Sequence, residues 1–119
     1  MAYQLARNRL DATRGRWPRA AATLGRQALE DALAHFWAAN APGTQEASMR
    51  AQMLCLRSYV DEALSEHVAY AYDGLTRACH HHPYELAPTA DELSGWLGDV
   101  AQLIDHLAPT ETDSGAPAR

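Results

Sequence analysis

The fold follows from residues 89–107, whose sequence is TADELSGWLGDVAQLIDHL. The large apolar residues of this stretch recur in steps of three and four, and they are Leu93, Trp96, Leu97, Val100, Leu103, Ile104 and Leu107. That spacing places them on one face of an α-helix, where they form a continuous seam for packing against other helices. Thr89 and Glu92 have the spacing of a capping box, which starts a helix. The stretch therefore predicts a well-defined final helix.

Two helices are predicted at the start of the chain. Residues 3–14 place apolar side chains at helical spacing and predict a short first helix. Pro18 suits the first turn of a second helix, because that turn needs no backbone N–H from it. The apolar stripe of the second helix continues to Phe36, and residues 40–43, Asn-Ala-Pro-Gly, end it.

A further helical pattern starts at Gln45 and leads directly to Arg77. Ser58 and Asp61 have the spacing of a second capping box, so this region predicts either one helix or two. No segment of the chain alternates with the period of a strand. We therefore predict an all-α fold, an up-and-down bundle of four to five helices over residues 1–108. Residues 109–119 are polar, carry Pro and Gly, and predict a disordered tail.

Composition excludes several classes of protein. A net charge of −5 argues against a strong nonspecific nucleic-acid binder. The chain has no apolar run of transmembrane length, and its first residues lack the hydrophobic segment of a signal peptide. We therefore expect a cytoplasmic protein that does not bind a membrane. Its two cysteines do not form a disulfide framework.

The first 26 residues are nevertheless basic. They contain one acidic residue, Asp11, against six arginines, which are Arg7, Arg9, Arg14, Arg16, Arg19 and Arg26. One interpretation is a solvated helix face. The others are a phosphate-binding patch that draws a polyanion toward a nearby site, or an edge that meets an acidic partner.

The residues best suited to chemistry lie at positions 77–83, where the sequence is RACHHHP. Pro83 disfavours helix at the preceding residue, so we expect it to end the helix and to turn His82 out of helical register. Histidine exchanges protons near neutral pH, and arginine holds phosphate with a bidentate fork. Together these two side chains have the chemistry for cleaving RNA without a metal ion or another cofactor.

This arrangement resembles the Arg-then-His signature of HEPN-domain ribonucleases. Arg77 and His82 are separated by four residues and lie between a long helix and the last one. Residues 24–33, LGRQALEDAL, are also similar to an early HEPN helix, and the resemblance covers about residues 3–107. One departure is Ala78, which follows the arginine where catalytic members often have a polar residue.

The resemblance implies a function and partners. Members of this family are small helical bundles that dimerise, and the Arg/His pairs of two chains form one composite site. Many are toxins paired with a nucleotidyltransferase-type antitoxin protein, whereas others are noncatalytic. For this chain it implies a homodimer that cleaves RNA, in which Arg77 stabilises the transition state and His82 is the general acid and base. The accessory candidates are His80, His81, Tyr84 and Glu85.

Other interpretations of the same stretch remain open. Arg77 and the histidines have the charge to cap the last carbonyls of the helix. Cys79 and His82 suit a metal site if His67 or Glu85 supplies a further ligand. The whole bundle also suits a noncatalytic module that binds another protein through its helical surface.

Overall fold

The computed structural model describes residues 3–13, 18–80 and 88–108. Over these ranges the chain forms five α-helices and one 3₁₀ turn. They are α1 (Gln4–Asp11), α2 (Pro18–Asn40), the 3₁₀ turn (Thr44–Glu46), α3 (Met49–Leu56), α4 (Glu62–Cys79) and α5 (Ala90–Leu107). No strand occurs in the described part of the chain. The predicted all-α helical bundle is confirmed.

The core lies between α2, α4 and α5, and α1 packs on α2 and α5. The largest side chains that are fully buried come from these helices and the end of α3, and they are Leu29, Leu33, Trp37, Leu56, Val68, Leu75, Val100, Leu103 and Ile104. The α5 members belong to the seam predicted from the sequence. Four buried alanines of α2 allow neighbouring helices to approach closely, and they are Ala21, Ala22, Ala28 and Ala32.

Helix α5 packs closely against α4 and α2 at two glycines. A Cβ atom added at Gly74 would lie 2.5 Å from the Cε2 and Cζ2 atoms of Trp96, so the indole occupies the space that any larger residue would need. At Gly25 of α2, an added Cβ atom would lie 2.4 Å from a terminal methyl carbon of Leu97. The two glycines let α5 lie against both α4 and α2.

Two of the predicted helix starts are confirmed. Thr89 Oγ1 accepts the backbone N–H of Glu92 at 3.0 Å, and the Glu92 carboxylate accepts the N–H of Thr89 at 2.9 Å, which completes the capping box. Pro18 is the first residue of α2. After α2, Gly43 has a φ of 100°, a left-handed conformation that suits glycine.

The predicted capping box at Ser58 and Asp61 is wrong. Asp61 is itself the N-cap of α4, and its carboxylate accepts the N–H of Ala63 at 3.2 Å. The turn before it is held by Tyr59, whose ring packs edge-to-face on Phe36 and Trp37. The region therefore contains two α-helices, joined by residues 57–61.

Two predicted boundaries also differ. The helix expected from Gln45 begins at Met49, because the Ser48 side chain caps it and residues 44–46 form the 3₁₀ turn. The first helix ends at Asp11 instead of continuing to residue 14.

The predicted tail at residues 109–119 lies outside the described residues. None of the described helices has the length and apolar character needed to cross a membrane.

Candidate functional site

The structure describes only the first part of the Arg/His stretch. Arg77 lies in the last turn of α4, and His80 is the residue that follows the helix. The backbone N–H of His80 donates to the Thr76 carbonyl at 3.2 Å. The other predicted site residues, which are His81, His82, Tyr84 and Glu85, lie outside the described residues, as does Pro83. The helix thus ends at Cys79, four positions before the proline.

Arg77 points into solvent. Its side chain is 61% exposed, and its Nε lies 3.3 Å from Asp73 Oδ2, one helical turn away. An exposed pair of this kind contributes less than about 1 kcal/mol, so it competes only weakly with a phosphate ligand. The described contacts of Arg77 are therefore those of a surface cation and not of a cap on the helix carbonyls.

The cap is supplied by Arg19, from the first turn of α2. Its Nε donates to the carbonyl oxygen of Cys79 at 3.0 Å. This carbonyl belongs to the last turn of α4, where no partner exists within the helix. The contact brings a second arginine to the Arg/His stretch. Nothing in the sequence predicts this contact across 60 positions, beyond the clustering of arginines near the N-terminus.

Cys79 occupies a packing position. Its side chain is 8% exposed, and its Sγ lies 3.3 Å from the Thr23 hydroxyl of α2. His67 lies twelve residues earlier on the same helix, about 18 Å along the axis, so it cannot share an ion with Cys79. Across the described ranges, no three His, Cys, Asp or Glu side chains are grouped closely enough to hold a metal ion.

The structure explains why a small apolar residue occupies position 78. Its side chain is buried, at 6% exposed, whereas Arg77 beside it points outward. A polar side chain at this position would enter the apolar core, where an unpartnered polar group is costly. Packing therefore favours a small apolar residue at position 78.

Three of the N-terminal arginines are balanced by carboxylates. Arg9 Nε lies 2.8 Å from Asp31, whereas Arg26 Nε lies 3.8 Å from Glu30. Arg7 lies 3.9 Å from Asp105, near the C-terminal end of α5. Arg9 and Arg26 are the less exposed of the three, which makes them weak candidates for a phosphate-binding patch, whereas the exposed pair of Arg7 is as weak as that of Arg77. Arg14 and Arg16 lie outside the described residues.

A polar contact ties the middle of α4 to α2. The Tyr72 hydroxyl donates to the Glu30 carboxylate at 3.0 Å. Burial raises the pKa of Tyr72, and the hydrogen bond to Glu30 and its negative charge raise it further. The phenol therefore stays protonated and keeps donating at neutral pH. This contact fixes α4 relative to α2 one turn before Arg77.

No family model, no curated protein and no solved structure matches this chain.

Proposed function

We propose that the protein is a metal-independent endoribonuclease of the HEPN type, in which Arg77 and His82 act on the scissile phosphate. The observation that carries the proposal is that the last turn of α4 holds one arginine and its final carbonyl binds another. Arg77 is exposed there, and Arg19 of α2 is hydrogen-bonded to the carbonyl two residues further on. Two arginines thus contact or occupy the last turn of α4, which directly precedes His80, in a chain whose net charge is negative.

The proposed chemistry needs only these side chains and the RNA. The ribose 2′-oxygen attacks phosphorus after histidine removes its proton, and the bond to the 5′-oxygen breaks as a protonated histidine donates to it. Arg77 stabilises the charge that develops on the phosphoryl oxygens. The products are a 2′,3′-cyclic phosphate and a 5′-hydroxyl end. DNA lacks the attacking hydroxyl and is not a substrate.

Electrostatics support the binding of a polyanion at this end of the bundle. The partial negative charge of the last α4 carbonyls is offset by Arg19, which donates to the Cys79 carbonyl. Arg19 also lies at the N-terminus of α2, where the partial charge of the helix is positive. A polyanion that approaches the end of α4 therefore meets positive charge.

The resemblance supplies the remaining parts of the proposal. The enzyme acts in the cytoplasm as a homodimer whose two Arg/His pairs form one site, and an antitoxin protein restrains it. His81, His80, Tyr84 and Glu85 assist through proton transfer or by orienting His82.

The proposal is tested by cleavage of a labelled RNA in the presence of EDTA. We expect His82→Ala to lower the rate about 100-fold or more, because general acid and base catalysis of this kind contributes at least that factor. The matched control is His67→Ala, which removes an exposed histidine of α4. A DNA strand of the same sequence should stay intact.

Two results would contradict the proposal. If wild-type protein leaves RNA intact in every buffer, the noncatalytic interaction module becomes the better interpretation. If His82→Ala and His67→Ala cleave equally well, the assignment of His82 is wrong.

A further inference from the structure

A groove of about 460 Å³ runs between α3 and α4. Met49 and Met53 of α3 line one side, and Ala69 and Tyr72 of α4 line the other. Both methionines are only partly buried against the core. Methionine adapts its shape to irregular surfaces, so this lining suits contact with another apolar surface.

Leu54 projects beside this groove. Its side chain is 61% exposed and lines the groove edge. Leaving a large apolar side chain in water forgoes the free energy of its burial. The face thus presents both an apolar depression and an apolar projection.

Charged residues border the groove in a fixed pattern. Arg50 and Arg57 stand on the α3 side, seven residues apart, and Glu66 and Asp73 stand on the α4 side at the same separation. Seven residues are close to two helical turns, so each pair projects in nearly the same direction. One edge of the groove is therefore positive and the other negative.

We propose that this groove is the surface through which two copies of the chain associate. Each copy supplies a Leu54 projection for the groove of the other, and each supplies both edge charges. A two-fold axis along the groove lays the α3 of one copy over the α4 of the other, so that arginines meet carboxylates. An axis across the groove would lay α3 on α3 and bring like charges together.

The intrachain ion pairs do not oppose this association. Arg57 pairs with Glu62 at 3.0 Å, and Asp73 pairs with Arg77 at 3.3 Å, but all four side chains are about half exposed or more. Such pairs are weak and exchange partners at low cost. The interface also reaches Asp73, one turn from Arg77. If the proposed ribonuclease function holds, association at this groove thus adjoins the cleavage site.

The first test measures the molar mass in solution by analytical ultracentrifugation, without RNA. We expect the wild type to have twice the mass of the chain and Leu54→Glu to have the mass of one chain. Leu5→Glu is the matched control, because Leu5 is 55% exposed on α1, and it should remain a dimer. A monomeric wild type, or a Leu54→Glu variant that stays dimeric with unchanged helicity, would overturn the proposal.

The second test exchanges the charged edges. The variant Arg50→Glu/Arg57→Glu and the variant Glu66→Arg/Asp73→Arg should each be monomeric alone and should form a mixed dimer when combined. Carrying all four substitutions should restore the homodimer, because opposite charges again face each other across an axis along the groove. Failure of the fourfold variant to dimerise, despite native helicity and thermal stability, would exclude this axis.

These measurements are independent of RNA cleavage. A dimer that Leu54→Glu dissociates but that cleaves no RNA would support this interface and reject the ribonuclease proposal. A monomer that cleaves RNA would reject this interface and the two-chain composite site, but not the cleavage chemistry itself.

Discussion

The two sides of α4 differ in how their apolar surface is used. On the side toward α2 and α5, Val68, Ala71 and Leu75 are fully buried, and Gly74 makes room for Trp96. On the side toward α3, Tyr72 and Ala69 line an open groove. On the first side, small residues let the helices approach closely, and the apolar side chains are buried within the chain. On the second side, the described part of the chain leaves apolar surface uncovered, and charged residues border that surface.

The largest effect on stability is expected from removing a large side chain from the side of α4 that packs against α2 and α5, called the closed side. Trp96→Ala removes the indole that fills the space over Gly74, and we expect it to lower the free energy of unfolding by about 3–5 kcal/mol. Urea denaturation followed by circular dichroism measures this loss. A loss below about 1 kcal/mol, as is usual for a surface substitution, would mean that α5 does not close this side of α4.

A smaller loss of stability is expected from breaking a hydrogen bond that attaches α3 to α2. The indole N–H of the fully buried Trp37 donates to the Gln52 side chain at 3.0 Å, and Gln52 in turn donates to the Ala47 carbonyl at 2.9 Å. Gln52→Leu leaves the indole N–H without this acceptor, at a cost of about 1–3 kcal/mol. Urea denaturation of Gln52→Leu, Trp37→Phe and the double variant measures the coupling. Strictly additive losses would contradict it.

Adding a methyl group on the closed side should lower the free energy of unfolding less than removing the Trp96 indole does. Gly74→Ala forces the Trp96 indole to move, at about 1–3 kcal/mol, and gains back up to about 1 kcal/mol from the better helix propensity of alanine. Gly95→Ala is the matched control, because an added Cβ at Gly95 meets no atom within 4 Å. We expect a lower melting temperature for the first variant and a higher one for the second. Equal shifts would contradict the close packing at Gly74.

The smallest effect concerns the contact beside the groove. Because the pKa of Tyr72 is raised in the folded protein, its stabilising effect is complete below the ordinary tyrosine pKa of 10.0 and is lost as pH rises through the raised value. Tyr72→Phe should lower the free energy of unfolding by about 0.5–1.5 kcal/mol near neutral pH, through the lost bond to Glu30. It should also reduce the alkaline loss of stability. Melting curves at neutral and alkaline pH test both effects, and an unchanged alkaline slope would contradict the second.

Local patterns account for the parts of the fold that were predictable. The seam of α5 and the Thr89/Glu92 capping box depend on residues within one helix, so periodicity and spacing reveal them. The junction of α3 and α4 depends on more. Ser58 and Asp61 are both good caps, but the N–H of Ser58 donates to the Cys55 carbonyl at 3.1 Å in the turns that end α3, and Tyr59 packs against rings that lie more than 20 residues earlier. Sequence spacing carries no information on that packing.

The candidate site was predictable to a similar degree. The position of Arg77 at the end of a helix follows from the helical pattern that stops before Pro83. The contact of Arg19 with Cys79 and the pairing of Arg7 with Asp105 do not, because they join residues that are distant in the sequence and are brought together only by helix packing. Of the four N-terminal arginines that the structure describes, Arg7, Arg9 and Arg26 lie within 4 Å of a carboxylate.

The most direct test of the proposed function is the rate of RNA cleavage in EDTA by Arg77→Ala compared with Arg7→Ala. Both substitutions remove a surface arginine from an ion pair. Arg77 lies in the last turn of α4, whereas Arg7 lies on α1 and pairs with Asp105, near the C-terminal end of α5. We predict that Arg77→Ala is slower by about 100-fold or more, because it removes a group that stabilises transition-state charge, and that Arg7→Ala retains the wild-type rate. Equal rates for the two variants, with both proteins folded, would contradict the assignment of Arg77 to the active site.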